Sequence, residues 1–202
     1  MNATPPPRAW QRMLSGRRLD LLNPHPDDIA IEDIAHGLAR VARWNGQTIG
    51  PHVYSVAQHS LLVEALFSAE LDATPGESLT ALLHDAPEYV VGDIISPFKS
   101  VLGDGYKAVE HRILHAIHTR FGLADIADAL ETRVKAADRA AARLEATGLA
   151  GFAESEATLF FGTPRPDADR WQSLLVPKRA DDVQALFLAR FRCLSEKVTP
   201  AS

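Results

Sequence analysis

His84 and Asp85 stand side by side within residues 81–88, ALLHDAPE, where an apolar helical turn runs into an imidazole, a carboxylate, Pro87 and a second carboxylate, Glu88. An adjacent His-Asp pair offers one nitrogen and one oxygen to a cation, but the dipeptide is common and needs partners from elsewhere in the chain. His59 and Asp138 are the candidates. His59 shares a helical face with Leu62, Val63 and Leu66, which aims it inward, and Asp138 lies beside the apolar stripe of a later helix. Two imidazoles and two carboxylates form a mixed N/O set suited to one divalent cation: Mn²⁺, Co²⁺, Zn²⁺, Fe²⁺ or Mg²⁺. The lack of cysteine in the set argues against a closed structural zinc site. Such an ion acidifies bound water and polarises a phosphoryl oxygen, so hydrolysis of a phosphoester fits. Taken singly, each residue also has an ordinary reading. A His on an apolar face is commonly a hydrogen-bonded core residue, and an Asp near a stripe is commonly exposed or salt-bridged.

The elements that must carry these residues are all helical. Apolar positions at helical spacing predict a helix over 31–43, stopped by Asn45-Gly46. Ser55 and Gln58 have the capping-box form, which opens a helix over about 56–70. Thr74 and Glu77 form a second box around Pro75, and this helix should end or bend just after Asp85, because Pro87 disfavours helical geometry at Ala86. Ser96-Pro97 starts another helix with Lys99 in its first turn; longer helices are expected over 106–121, 126–147 and 181–194. The last has an inward face of Val183, Leu186, Phe187, Arg190 and Phe191. Residues 148–178 read as a loop or short helices. His111, His115 and His118 lie opposite the Val109, Ile113, Ile117 stripe, which assigns them to a solvated face rather than to a metal site. The fold class is all-α, a compact helical bundle of about six or more helices. Residues 1–27, rich in proline, read as an irregular N-terminal strap; 28–147 as the core; 148–202 as a C-terminal loop and helix packed on it, in a single domain.

With 202 residues, 46% of them hydrophobic and 23% charged, the chain can bury a full core without disulfides. Its one cysteine, Cys193, reads as a packed thiol in a reducing compartment, which makes the cytoplasm the expected location. Neither a secretory signal nor a membrane-spanning run is legible, so no membrane partner is expected. A net charge of −5 argues against a nucleic-acid polymer but leaves room for one small phosphorylated ligand held by local cations.

The order His59 in SVAQHS, His84-Asp85 in ALLHDAPE and Asp138 in VKAADR resembles the HD-domain metal-dependent phosphohydrolases, whose ligands come from separate helices in the order H…HD…D. Arg43-Trp44, Glu88, Gly92-Asp93, Pro97 and Lys99 look like the bacterial 5′-deoxyribonucleotidase, YfbR-like, branch. The likeness covers roughly residues 28–147. It implies an HD-domain bundle in which His59, His84, Asp85 and Asp138 bind one divalent cation. Glu88 would position or deprotonate water or protonate the leaving 5′-oxygen, with Asp93 sharing that proton traffic. Arg43 and Lys99 would clamp the phosphate, and Trp44 would lie against the sugar and select deoxyribose. The implied activity is release of phosphate from deoxynucleoside 5′-monophosphates, by a homodimer.

Other readings stay open beside these. Without the resemblance Glu88 is equally a solvated carboxylate, Arg43 a helix-end cation, Lys99 a surface lysine and Trp44 a packing residue. The same ion would also serve a nucleoside triphosphohydrolase or another small phosphoester hydrolase. A non-catalytic nucleotide-binding HD domain is the alternative of another class.

Overall fold

A computed structural model describes residues 8–70, 73–123 and 128–198. Among them are nine α-helices: α1 (Ile31–Leu38), α2 (Val56–Glu70), α3 (Pro75–Leu82), α4 (Glu88–Val91), α5 (Ser96–Leu102), α6 (Asp104–Arg120), α7 (Asp128–Gly148), α8 (Glu154–Phe161) and α9 (Ala180–Ser195). The helical class is therefore as the sequence indicates. None of the described helices is long and apolar enough to cross a membrane.

Helix α2 is apolar nearly all round, the pattern of a helix covered on every side, and it packs against α3, α7 and α9. One core cluster joins its Val56 and Ala57 to Ile34 and Leu38 of α1, Leu79 and Leu82 of α3, Ile113 and Ile117 of α6, and Phe187 of α9. The other joins its Leu62, Leu66 and Phe67 to Val134, Ala141 and Leu144 of α7. Because α2 lies between the two clusters, its polar residues Gln58, His59, Ser60 and Glu64 are buried.

The boundaries differ from the sequence expectations in ways that place functional residues. Residues 1–27 are not wholly irregular: Trp10–Arg12 (β1) and Arg18–Asp20 (β2) pair antiparallel, with Gln11 opposite Leu19. Gly16, at φ 86°, turns this hairpin, and Leu19 is buried in the first core cluster. Two strands of three residues each are too short for their alternation to stand out in sequence. The consecutive prolines at 5–7 lie outside the described residues, as does the expected start of the seventh helix at 126–127.

Helix α1 stops at Leu38, short of the expected Arg43. Beyond it the chain pairs with the approach to α2: Arg43 N–H donates to Tyr54 O (2.8 Å) and Val56 N–H to Val41 O (3.0 Å). This pairing carries Arg43 off the helix and toward α2. Helix α3 likewise ends at Leu82, three residues before the expected point, so His84 and Asp85 sit in the turn between α3 and α4. The Thr74–Glu77 capping box is complete. The one at Ser55 is half made, because the Gln58 side chain instead bridges Val176 O and Lys178 N. Helix α9 buries its apolar residues Val183, Phe187, Phe191 and Leu194 against the rest of the chain; Leu186, expected inward, is about half exposed. Arg190 turns to the buried Glu64 in a two-pronged ion pair (2.6 and 2.8 Å).

Close packing of α1 on α4 depends on Gly37, where a Cβ would lie 2.7 Å from Tyr89 O and 2.8 Å from Tyr89 Cβ. Alanine within a helix normally gains about 1 kcal/mol over glycine. Here the backbone clash outweighs that gain, and Gly37→Ala is expected to lose about 1–3 kcal/mol in urea unfolding. Unchanged stability would mean that α4 moves away at no cost.

Candidate metal centre

His59 of α2, His84 and Asp85 of the α3–α4 turn and Asp138 of α7 converge. Asp138 Oδ1 is 3.1 Å from His59 Nε2 and 4.0 Å from His84 Nε2; Asp85 Oδ2 is 3.4 and 3.2 Å from the same two nitrogens. His59, His84 and Asp138 each place one ligand atom within 4.8 Å of the others, close enough for one ion. The tautomers follow from what the far nitrogens meet. His59 Nδ1 faces Glu145 Oε1 at 2.5 Å, and His84 Nδ1 faces Ala81 O at 2.9 Å. A carbonyl and an ionised carboxylate only accept, so both Nδ1 atoms donate, and each neutral ring turns an Nε2 lone pair toward the two aspartates. Both Nε2 atoms are buried without an aligned hydrogen bond. Lone pairs facing carboxylates repel unless a positive charge lies between them, and the N/O donor set suits a divalent cation. Without one, a proton is the substitute. Burial and Arg43 oppose charging of His59, yet Glu145, Asp138 and Asp85 together hold its pKa well above that of free imidazole.

Glu145 went unnoticed in the sequence, and it is the hub behind the ligands. It is fully buried, and its Oε2 accepts from Trp44 Nε1 (2.9 Å) and Arg43 Nε (3.3 Å) while Oε1 orients His59. Burial would raise its pKa, but His59 and Arg43 outweigh that and hold it below the usual carboxylate value. A carboxylate behind a ligating imidazole fixes the ring's tautomer and raises its basicity. The available signal was that Glu145 lies seven residues after Asp138, two turns along the same face of α7.

Arg43 and Trp44 reach this hub through a strained turn. Trp44 (φ 55°, ψ 30°) and Asn45 (φ 50°, ψ 31°) are consecutive non-glycine residues in the left-handed region. Such conformations cost about 1–3 kcal/mol each and persist only where surroundings enforce them. Here the indole N–H is tied to Glu145, and the Trp44 ring packs on Phe152 (5.5 Å between centroids) and Phe161 (6.0 Å), aromatic partners that the sequence did not reveal. The Arg43 guanidinium also donates to Asp93 Oδ2 (3.2 Å), and these carboxylates keep it charged although it is buried.

Glu88 opens α4, three residues past Asp85, and is 2% exposed. Its Oε2 is buried without a partner. Burial, with the negative charges of Asp85 and Asp93, pushes its pKa up to about 9. Asp93 is shifted upward too, chiefly by burial. Lys99 is not a free cation: Nζ meets Glu88 Oε1 (3.4 Å) and Glu110 Oε1 (3.0 Å). Glu110, on α6, had no sequence signal.

Glu88, Lys99 and Glu110 border a cavity of about 500 Å³ that runs from His84, Asp85 and Asp138 to α6. His111, His115 and His118 line its far wall. The projection opposite the Ile113 and Ile117 stripe holds for His111 and His115, which are exposed at the rim of this cavity, while His118 is buried.

A comparison with protein families finds no match for the chain. A Rhodobacter capsulatus protein described only as uncharacterised is 55% identical over 192 residues, covering 93% of this chain and 96% of its own. The uncharacterised protein YfdR of Escherichia coli is 31% identical over 185 residues, covering 92% of this chain and 95% of its own. Similarity over nine-tenths of both chains shows that the chain belongs to the family that contains YfdR.

Proposed function

We propose that the protein is an HD-domain metal-dependent phosphohydrolase, releasing phosphate from deoxynucleoside 5′-monophosphates. The observation that carries the reading is the convergence of two oriented Nε2 lone pairs and two aspartates at the edge of a cavity that also holds a buried, partnerless carboxyl oxygen of Glu88. His59, His84, Asp85 and Asp138 would hold a divalent cation, which supplies Lewis acidity toward a phosphoryl oxygen and acidifies water. Glu88, in this reading, takes a proton from the attacking water or gives one to the leaving 5′-oxygen. Its raised proton affinity puts it nearer neutrality than an ordinary carboxylate and so suits both directions of transfer. Arg43, paired with Asp93 and Glu145, holds these two carboxylates in place behind the ligands rather than meeting phosphate by itself. Lys99, bound to two glutamates, steadies Glu88 rather than clamping phosphate by itself.

Monoesters are favoured over triphosphates because both lysines of the cavity already have carboxylate partners, Lys99 with Glu110 and Lys135 with Glu131 (2.5 Å). A phosphate chain needs unpaired cations along its length.

The test is to strip the protein of metal, restore Mn²⁺, Co²⁺, Mg²⁺ or Zn²⁺ in turn, and follow phosphate release from ribo- and deoxynucleoside mono- and triphosphates. Turnover of deoxynucleoside monophosphates, restored by at least one ion and abolished in Asp85→Ala, is the expected result. Tripolyphosphate as product would move the reading to a triphosphohydrolase. Nucleotide binding without turnover by any metal-loaded form would leave a binding module.

A further inference from the structure

The β1–β2 hairpin contributes no residue to the metal centre or its cavity, and it carries a charge arrangement that works against its own pairing. Leu19 of β2 is buried in the core, so its neighbours Arg18 and Asp20, with the residues opposite them, Arg12 and Trp10, share the outer face. Arg12 and Arg18 stand directly across from one another, and like charges so placed weaken a strand pair. The Trp10 ring gathers three guanidiniums: Arg18 lies 4.0 Å from its centroid, Arg8 4.9 Å and Arg12 5.7 Å. All three arginines are exposed, and none has a carboxylate partner among the described residues. Asp20, the carboxylate on this face, turns Oδ1 to the backbone N–H groups of Leu22 and Asn23 (2.8 and 3.0 Å).

We propose that this face is a docking surface for an acidic segment of another protein, whose carboxylates meet Arg8, Arg12 and Arg18. The inference is independent of the hydrolase reading. Stacking on an aromatic ring limits the freedom of a guanidinium, so less is lost when a carboxylate accepts two of its N–H groups. Arginine clusters are a recurrent means of recognising acidic motifs. Leu14 in the turn (76% exposed) and Leu22 just past β2 (56%) add apolar contact at the two ends of the face. At about 0.1 M salt, charges are screened over roughly 10 Å, so the chain's net charge of −5 does not cancel a local cationic face. Other anionic surfaces fit less well. A nucleic-acid polymer is bound by neutralising many phosphates, and the Arg18 guanidinium stands over the Trp10 ring where a base would stack. Basic clusters that hold an anionic membrane number about four to eight cations. Here Arg17, the fourth arginine of the hairpin, is tied to Asp27 O and Ile29 O.

The test is fluorescence anisotropy of a labelled dodecapeptide of Glu, Asp and Leu, titrated with the full chain at about 0.1 M salt, beside a control peptide in which Gln and Asn replace the acids. Wild type is expected to bind the acidic peptide and not the control. The double variant Arg12→Gln/Arg18→Gln should weaken that binding by about tenfold, the effect of two exposed charge pairs at the upper end of their usual strength. Arg8→Gln, ahead of the strands, should weaken it by about threefold, and carries the contrast alone if the double variant does not fold. Mn²⁺ affinity should be unchanged in each variant, because none of these residues reaches the metal centre. The proposal is overturned if wild type does not distinguish the two peptides, if the variants bind the acidic peptide as wild type does, or if Mn²⁺ affinity falls in parallel. Tighter binding to vesicles of phosphatidylcholine and phosphatidylserine, or to oligothymidylate, than to the acidic peptide would also overturn it and give the face to a membrane or a nucleic acid.

Discussion

Glu88→Gln is expected to lower phosphate release by about 10²–10⁴-fold, the usual contribution of a positioned acid–base group, while leaving the bound metal in place. The same substitution should make the metal-free protein more stable, and the direction follows from linkage. The Glu88 carboxyl has a pKa of about 9 in the fold against an ordinary value of 4.5, so between those values the native state holds a proton that the unfolded chain has lost. Stability from this group is full below about pH 4.5 and falls as pH rises through 9, at roughly 1 kcal/mol per pH unit. Glutamine is neutral throughout and escapes that loss. Thermal melts of the metal-free proteins should coincide near pH 5 and separate progressively toward pH 9, with the Gln variant higher. Adding the divalent ion should narrow the gap, because a nearby positive charge favours ionised Glu88. Parallel melting curves across that range would remove the buried, protonated Glu88 from the account. Full activity in the variant would remove its catalytic role.

The second large effect is expected at Glu145, which touches no substrate in this reading. Glu145→Ala takes the shared acceptor from His59, Arg43 and Trp44 at once and leaves a buried guanidinium with Asp93 as its remaining partner. Removing one member of a buried ion pair costs about 3–5 kcal/mol. Loss of the carboxylate behind a ligating imidazole costs about 10–100-fold in metal affinity. Urea unfolding of the metal-free protein measures the first and competition with a chelator the second. Glu145→Gln keeps an acceptor for one partner and should fall between alanine and wild type in both. A variant that loses stability but binds metal as tightly as wild type would limit Glu145 to supporting the strained Trp44–Asn45 turn.

How far the site could be foreseen depended on the range of each interaction. The four candidate ligands and Glu88 were legible because each lies within a local pattern: His59 on an apolar helical face, His84 and Asp85 just past a helix that Pro87 signals cannot continue, Asp138 beside a stripe, and Glu88 three residues after Asp85. Their convergence in the structure follows from α2 packing directly on α3 and α7. Glu110 and the pairing of Lys99 were not legible, since they depend on how α5 meets α6, which no local periodicity encodes. The early end of α1 was missed for the same reason: apolar spacing continues past Leu38, and pairing between residues 41–43 and 54–56 takes the chain away from the helix.

The sequence by itself determined the helical class, the capping box at Thr74 and which side chains carry metal-type donors, because helical periodicity and capping chemistry act within a few residues. Only the tertiary structure decided which nitrogen of each imidazole faces the aspartates, since that orientation is imposed by Glu145 and Ala81 O on the far side of the rings. It also decided that the histidine face of α6 borders a cavity. Polar residues opposite an apolar stripe look alike in sequence, yet His111 and His115 are exposed at the cavity rim and His118 is buried, a difference set by where α7 and the α3–α4 turn stand relative to α6.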